Sequence, residues 1–98
     1  KSFRMFTIVP TPIIPDKFFS PNNDGVNDRW NVVGIEFYPN ADIQIFDRFG
    51  KQMIRYKGSD LGWDGNYLGN PMPTTDYWYI IYVAEINETL SGHFTLKR

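Results

Sequence analysis

The stretch Tyr77-Trp78-Tyr79-Ile80-Ile81-Tyr82-Val83 decides the fold class, because every one of its positions is apolar or aromatic. Aromatic and β-branched residues are enriched in strands. A strand that is apolar on both sides is either covered on both faces or carries an aromatic shelf on one of them. We therefore predict that residues 77–85 form the central strand of an all-β domain.

Chain breakers surround this run and separate the other apolar stretches. Seven prolines and eight glycines are spread along the chain, so helical periodicity is almost absent. Further strands are predicted at residues 3–9, 30–33, 42–46, 52–56 and 93–97. Their short spacing predicts an Ig-like antiparallel β-sandwich of about seven strands.

Turn chemistry pairs these strands into hairpins. Asp47-Arg48-Phe49-Gly50 offers a type I turn followed by a residue that accepts a positive φ, which predicts a hairpin over residues 42–56. Asn87-Glu88-Thr89 lies between the last two strands, which predicts a second hairpin. The last strand alternates, so Phe94 and Leu96 are expected in the core.

Composition excludes several classes of function. The 98 residues are 42% hydrophobic and carry 10 basic against 11 acidic side chains, so we expect one globular domain without the basic stripe that binds nucleic acid. Cysteine is absent, which excludes disulfide scaffolds, Cys-ligated zinc and thiol catalysis. No window approaches the roughly 18 consecutive apolar residues of a transmembrane helix, so no membrane-spanning segment is expected.

The first residues have the composition of a junction. Pro10-Thr11-Pro12-Ile13-Ile14-Pro15 must be extended, because proline restricts the residue before it as well as itself. Residues 1–13 are therefore predicted to be a first strand or the junction with an upstream domain, and residues 14–98 the domain itself. Since the chain starts at Lys1 without an initiator methionine, we expect it to derive from a longer precursor with cargo upstream.

The loop of residues 20–28 is rich in Asn and Asp. Oxygen ligands at alternate positions before a glycine resemble the start of a calcium loop, with Asn22, Asp24, Asn27 and Asp28 as candidate ligands of a structural ion. The alternative is a compact loop held by Asx-turns, in which each short side chain bonds its own backbone. Only two candidates are carboxylates and no bidentate Glu follows at the EF-hand spacing, which favours Asx-turns. Apart from this candidate calcium ion, no cofactor is predicted.

The remaining polar and aromatic residues give little support for catalysis. Trp63 with Asp64 is either a sugar-stacking platform or a core tryptophan followed by an Asp64-Gly65 turn, and the second interpretation is favoured. His93 lies on the alternating last strand and is expected to face solvent. The sequence has no nucleophile elbow and no glycine-rich phosphate loop, so no catalytic residue is predicted.

Four blocks occur in an order that resembles one known family. They are Ser20-Pro21-Asn22-Asn23-Asp24-Gly25-Val26-Asn27-Asp28, Ile43-Gln44-Ile45-Phe46-Asp47-Arg48-Phe49-Gly50, Trp63-Asp64-Gly65 with Gly69, Pro73 and Tyr77-Trp78-Tyr79, and the strand from Gly92 to Arg98. They are similar to the SPNGDGIND, IxIFNRWG and WDG signatures and the closing strand of the gliding motility-associated, type B C-terminal sorting domains of the Bacteroidetes type IX secretion system. The departures from that pattern are Asn23, Asp47, Phe49 and Asp76. Asn and Asp tolerate the left-handed backbone of such turns.

The resemblance implies a non-catalytic secretion signal. Such domains direct a cargo protein from the periplasm across the outer membrane to the cell surface, and their partners are the type IX outer-membrane translocon, associated outer-membrane proteins and the upstream cargo. Recognition through a folded surface or by β-augmentation of an exposed edge is expected. The candidate partner-binding residues are Ser20, Pro21, Asp24, Lys97 and Arg98. The alternative function is a carbohydrate-binding or adhesive Ig-like β-sandwich module.

Overall fold

The part of the chain that the structure describes contains nine β-strands. The computed structural model describes residues 12–22 and 28–98. Its strands are β1 (Ile14–Pro15), β2 (Phe18–Phe19), β3 (Val32–Val33), β4 (Asp42–Phe46), β5 (Gln52–Lys57), β6 (Asn66–Tyr67), β7 (Asn70–Pro71), β8 (Thr75–Val83) and β9 (Glu88–Leu96), with 3₁₀ turns at Ile35–Phe37 and Ala84–Ile86. The all-β prediction is confirmed. Within these residues, no helix has the length and apolar character needed to cross a membrane.

β8 lies at the centre of a five-stranded sheet with the order β2-β9-β8-β4-β5. It pairs antiparallel with β9 along its whole length and with every residue of β4. β4 and β5 form an antiparallel hairpin of their own. The predicted central strand and both predicted hairpins are therefore confirmed.

Two features are those of an immunoglobulin-like sandwich. The first strand is divided between two sheets, because β1 pairs with β3 in a second layer while β2 pairs with β9. Tyr77, near the start of β8, donates its hydroxyl to the carbonyl of Pro73 at 2.9 Å, as the tyrosine at the start of strand F does in this fold. The Ig-like β-sandwich is confirmed, with the difference that β2 and β9 are parallel, since the chain crosses over from the second layer to reach β9.

The core lies on one face of the five-stranded sheet. Strand alternation turns Tyr77, Ile81 and Val83 of β8 inward, where each is 0–1% exposed. An aromatic cluster lies in this core, and Trp30 stacks on Phe94 with centroids 4.5 Å apart. Its members are Phe19, Trp30, Trp63, Tyr77 and Phe94. Offset and edge-on ring pairs contribute roughly 0.5–1.5 kcal/mol each beyond the burial of their area. This aromatic cluster holds the second layer on the sheet.

The opposite face of the sheet carries an apolar row. Trp78, Ile80 and Tyr82 alternate with the buried residues of β8 and are 41%, 38% and 42% exposed. Ile80 pairs with the polar residues Gln44 on β4 and Ser91 on β9. Of the two alternatives for an all-apolar strand, the aromatic shelf on one face is therefore the correct one.

Strand boundaries differ from the predictions at several places. The central strand, predicted at residues 77–85, is β8 (Thr75–Val83), because residues 84–86 form a 3₁₀ turn. β9 starts at Glu88 rather than at residue 93, because a 3₁₀ turn and Asn87 with φ of 51° already complete the connection. The strand predicted at residues 30–33 contains only Val32–Val33, since the N–H of Trp30 donates to a loop carbonyl. The hairpin β6–β7 is an additional element, closed by two residues with positive φ. The strand predicted at residues 3–9 lies outside the described residues.

Candidate recognition surface

Three of the four sequence blocks meet at Gly65. A Cβ atom at this position would lie 3.1 Å from side-chain atoms of Pro21, Leu96 and Arg98, which come from the first block and the closing strand. Gly65 also has φ of +85°, a conformation that L side chains rarely adopt. Any other residue would force apart segments that are distant in the sequence, so the glycine of the Trp-Asp-Gly block is required by its surroundings.

Trp63 fixes the loop that presents Gly65. Its indole N–H donates to the carbonyl of Asn66 at 2.9 Å, and its own carbonyl accepts the N–H of Trp30 at 2.9 Å. The Asp64 carboxylate accepts the N–H of Asn66 at 3.0 Å, which is an Asx-turn. The Trp-Asp-Gly block thus supplies a core anchor, a turn and a close-packing site in successive residues.

Trp63 is 1% exposed and cannot serve as a sugar platform. Its ring lies 5.1 Å from that of Tyr77, edge-on, and 5.9 Å from that of Phe19. The interpretation of Trp63 as a core residue followed by a turn is confirmed, and the carbohydrate-binding alternative loses the residue on which it rested. His93 is exposed on β9 beside the Trp78 ring, as predicted.

Arg98 closes the same end of the molecule. Its Nε donates to the carbonyl of Met72 at 2.6 Å and one terminal nitrogen donates to the carbonyl of Gly65 at 2.7 Å. Its backbone N–H donates to the hydroxyl of Thr74 at 3.0 Å. The guanidinium therefore bridges two loops, although the residue as a whole is exposed.

Lys97 lies on a different surface from Arg98. Its ammonium is 5.5 Å from the centre of the Phe18 ring, and its backbone N–H donates to the carbonyl of Phe19 at 2.9 Å. A cation at that distance from an aromatic face is weakly attracted to it. The two terminal basic residues do not form one patch, because one contacts β2 and the other contacts the Gly65 loop.

A shallow charged concavity of about 320 Å³ adjoins Gly65. It is lined by Pro21, Asp28, Arg29 and Asp64. Arg29 donates to the carbonyl of Gly62 at 2.9 Å, which ties the loop after residue 28 to the Trp-Asp-Gly block. Arg29 and Asp64 were not among the predicted partner-binding residues. Nothing in the sequence shows that these two residues, which are far apart in the chain, line the same concavity.

The predicted loop residues fall partly beside this concavity. Pro21 lines it, and the carbonyl of Ser20 accepts the N–H of Asn22 at 2.8 Å. Asn22 and Asp28 are placed at the two ends of the loop, while Asp24 and Asn27 lie outside the described residues. Among residues 12–22 and 28–98, no group of three acidic, His or Cys side chains is arranged to hold a metal ion. Calcium binding in this loop therefore stays a prediction.

Comparison with known proteins identifies the family. The family model described as the CHU_C type IX secretion signal domain matches residues 13–96. No curated protein matches the chain. Among solved structures, a match with a TM-score of 0.53 and 16% identity is PorZ, an essential bacterial surface component of the type IX secretion system of Porphyromonas gingivalis.

The PorZ match covers 60% of this chain but only 8% of the PorZ chain, so the likeness is one of fold. The family match covers the first three sequence blocks, the fourth as far as Leu96, and the strands β1 to β9. Because the family match extends over far more than half of the chain, it shows that the chain is a member of the family. The chain belongs to the family of CHU_C type IX secretion signal domains.

Proposed function

We propose that this domain is a non-catalytic sorting signal that the outer-membrane translocon of the type IX system recognises in its folded form. The observation that carries the proposal is the junction at Gly65, where Pro21, Leu96 and Arg98 meet. A linear signal would need its residues to be close in the sequence. Gly65 and Leu96 are buried, whereas Pro21 and Arg98 reach the surface. Because these two residues come from distant segments, a receptor that contacts both of them reads a folded surface.

The route that we propose follows from this mode of recognition. Cargo carried upstream of the domain reaches the periplasm, the domain folds there, and the translocon with associated outer-membrane proteins moves the cargo to the cell surface. Ser20, Pro21 and Asp24 on the loop of residues 20–28, together with Lys97 and Arg98, are the proposed contacts. The concavity beside Gly65 adds Arg29 and Asp64 to this set.

Non-catalytic action is supported by what the polar groups near the junction do. The Asp64 carboxylate caps a turn, and the Arg98 guanidinium donates to two backbone carbonyls. These side chains stabilise loops. A general base or nucleophile instead needs a partner within hydrogen-bond reach of a reacting atom.

A reporter fusion tests the proposal. A fluorescent protein with an N-terminal signal peptide is followed by residues 1–98 and expressed in a type IX-competent host. We expect protease-accessible reporter on the cell surface, and none when the domain is omitted. Reporter that stays in the periplasm, while a native type B cargo is exported by the same cells, would contradict the proposed function.

A further inference from the structure

One edge of the five-stranded sheet is unpaired along most of β9 in the part of the chain that the structure describes. Among the described residues, only Thr95 and Leu96 of β9 pair with β2. The N–H of Thr95 donates to the carbonyl of Lys17 at 2.9 Å, so the backbone groups of Thr95 point toward this edge. Because these directions alternate along a strand, Thr89, Ser91 and His93 point the same way. No described strand pairs with them there.

The other edge, β5, is protected. The N–H of Lys57 points outward and donates to the carboxylate of Asp60 at 2.9 Å. The pairing of β4 with β5 shifts register between Ile45 and Phe46, which is a bulge or irregularity. Arg55 and Lys57 add charge along the strand. Charges, bulges and capped N–H groups are how natural proteins prevent an edge from pairing with another chain.

β9 has none of these protections between Thr89 and His93. This stretch contains no charged residue and no proline, and its pairing with β8 runs without a register shift. Five residues in a strand span about 17 Å, which is the length of an ordinary strand. A regular, uncharged edge of this length is a template for strand addition.

The geometry points to this edge as the docking site for one extended strand of the translocon's outer-membrane partner. This inference rests on the proposed function, which requires a receptor. The added strand would exchange backbone hydrogen bonds with Thr89, Ser91 and His93, and would continue the sheet as its sixth member beside the five now present.

The charges at the two ends of the edge define the chemistry of that strand. Glu88 is exposed at one end and Lys17 is exposed at the other, beside the start of β2. The matching strand is therefore uncharged in its middle, basic where it meets Glu88 and acidic where it meets Lys17. On the outer face, the His93 ring lies 6.2 Å from that of Trp78, so apolar side chains of the added strand would extend the exposed row.

Proline at residue 91 tests the edge. Ser91→Pro removes one outward N–H and leaves the bonds toward β8, because the N–H of Ser91 points away from β8; proline is tolerated on an edge strand. In the reporter fusion, we expect Ser91→Pro to slow surface delivery by about tenfold, as expected when edge hydrogen bonds are lost. The purified domain should keep its cooperative thermal transition.

Two matched variants isolate the cause. Ser91→Ala keeps the N–H and should be exported at the wild-type rate. Arg55→Pro places the same residue at an outward position of the protected edge and should be exported as Arg55→Ala is, since both variants lose the ion pair of Arg55 with Asp42. Normal export of Ser91→Pro, or an equal delay with Arg55→Pro, would overturn the inference. If Ser91→Pro abolishes the thermal transition, Thr89→Pro, near the end of β9, takes its place with the same readouts.

Sedimentation tests whether a second copy of the domain pairs with the edge, and the export results separate the two proposals. If sedimentation shows a dimer of the wild-type domain that Ser91→Pro converts to a monomer, the edge binds a second copy and the assignment to the translocon is wrong. If the wild-type fusion itself is not exported, the proposed function fails. If the wild-type fusion and Ser91→Pro are exported equally, only the docking edge fails.

Discussion

Arg98 is exposed, yet it behaves as a structural residue. Its side chain donates to the carbonyls of Met72 and Gly65, at 2.6 and 2.7 Å. We predict that Arg98→Ala lowers the free energy of unfolding by about 1 kcal/mol, the usual net effect of losing a side-chain hydrogen bond. Urea unfolding of the purified domain measures this change.

Lys97→Ala is the matched control. Lys97 has only a weak contact with the Phe18 ring, so its replacement should change the free energy of unfolding by a few tenths of a kcal/mol at most. Equal effects of the two substitutions would show that the guanidinium does not bridge the loops in solution. Export of both variants at the wild-type rate would remove the terminal basic residues from the proposed contacts.

Tyr56 is a second residue whose surroundings make a measurable prediction. Burial raises its pKa above the ordinary value of 10.0, so the folded state favours the neutral phenol. The contribution is fully present below pH 10.0 and is lost as the pH rises, because the unfolded state then releases its proton first. The free energy of unfolding should therefore fall above this pH.

Tyr56→Phe should flatten that fall. Urea unfolding of both proteins between about pH 8 and about pH 11 covers the ordinary tyrosine range. The slope should not vanish, since burial also raises the pKa of Tyr77 and Tyr79. Identical slopes for the wild-type domain and Tyr56→Phe would contradict the assignment of the effect to residue 56.

Among the elements, the hairpin of β4 and β5 was predicted in full because its turn is determined locally. The carboxylate of Asp47 accepts the N–H groups of Phe49 and Lys51, both at 2.9 Å, and Gly50 supplies a φ of +82°. The whole length of β9 was not predicted. Its first half contains Glu88, Ser91 and Gly92, which have low strand propensity alone and become ordered only by pairing with β8.

The loop of residues 20–28 gives a prediction at the same scale. If Asn22, Asp24, Asn27 and Asp28 hold calcium, the ion binds only the folded state and stabilises it by about 2.7 kcal/mol when its concentration is about a hundredfold above Kd. Added calcium should then raise the melting temperature, and excess chelator should lower it. Calorimetry with each addition measures the shift.

Asp24→Ala provides the control for this prediction, since it removes one of the two candidate carboxylates. The variant should melt at the same temperature with calcium or with chelator. A wild-type melting curve that neither addition moves, together with no metal in elemental analysis, would favour the Asx-turn interpretation of the loop.

At the scale of the whole molecule, the sequence predicts the β-sandwich. It does not predict the path of the first strand or the contacts between distant segments at Gly65. Strand alternation and turn spacing are local patterns, and they sufficed for the central strand and both hairpins. The divided first strand consists of two residue pairs, Ile14–Pro15 and Phe18–Phe19, which are too short to leave a periodic pattern. The meeting of Pro21, Leu96 and Arg98 at Gly65 depends on that path and could not be predicted.

The position of β9 in the sheet means that the domain cannot fold until this strand has been synthesised. It is the last of the described strands in chain order, yet it lies between β2 and β8 and contributes Phe94 to the aromatic cluster. A nascent chain that stops before Glu88 leaves β8 without its longest pairing and the sandwich incomplete. On the proposed function, the translocon does not recognise such a chain. The topology therefore makes β9 necessary for sorting, because on the proposed function only a domain synthesised through Leu96 folds completely and can be recognised.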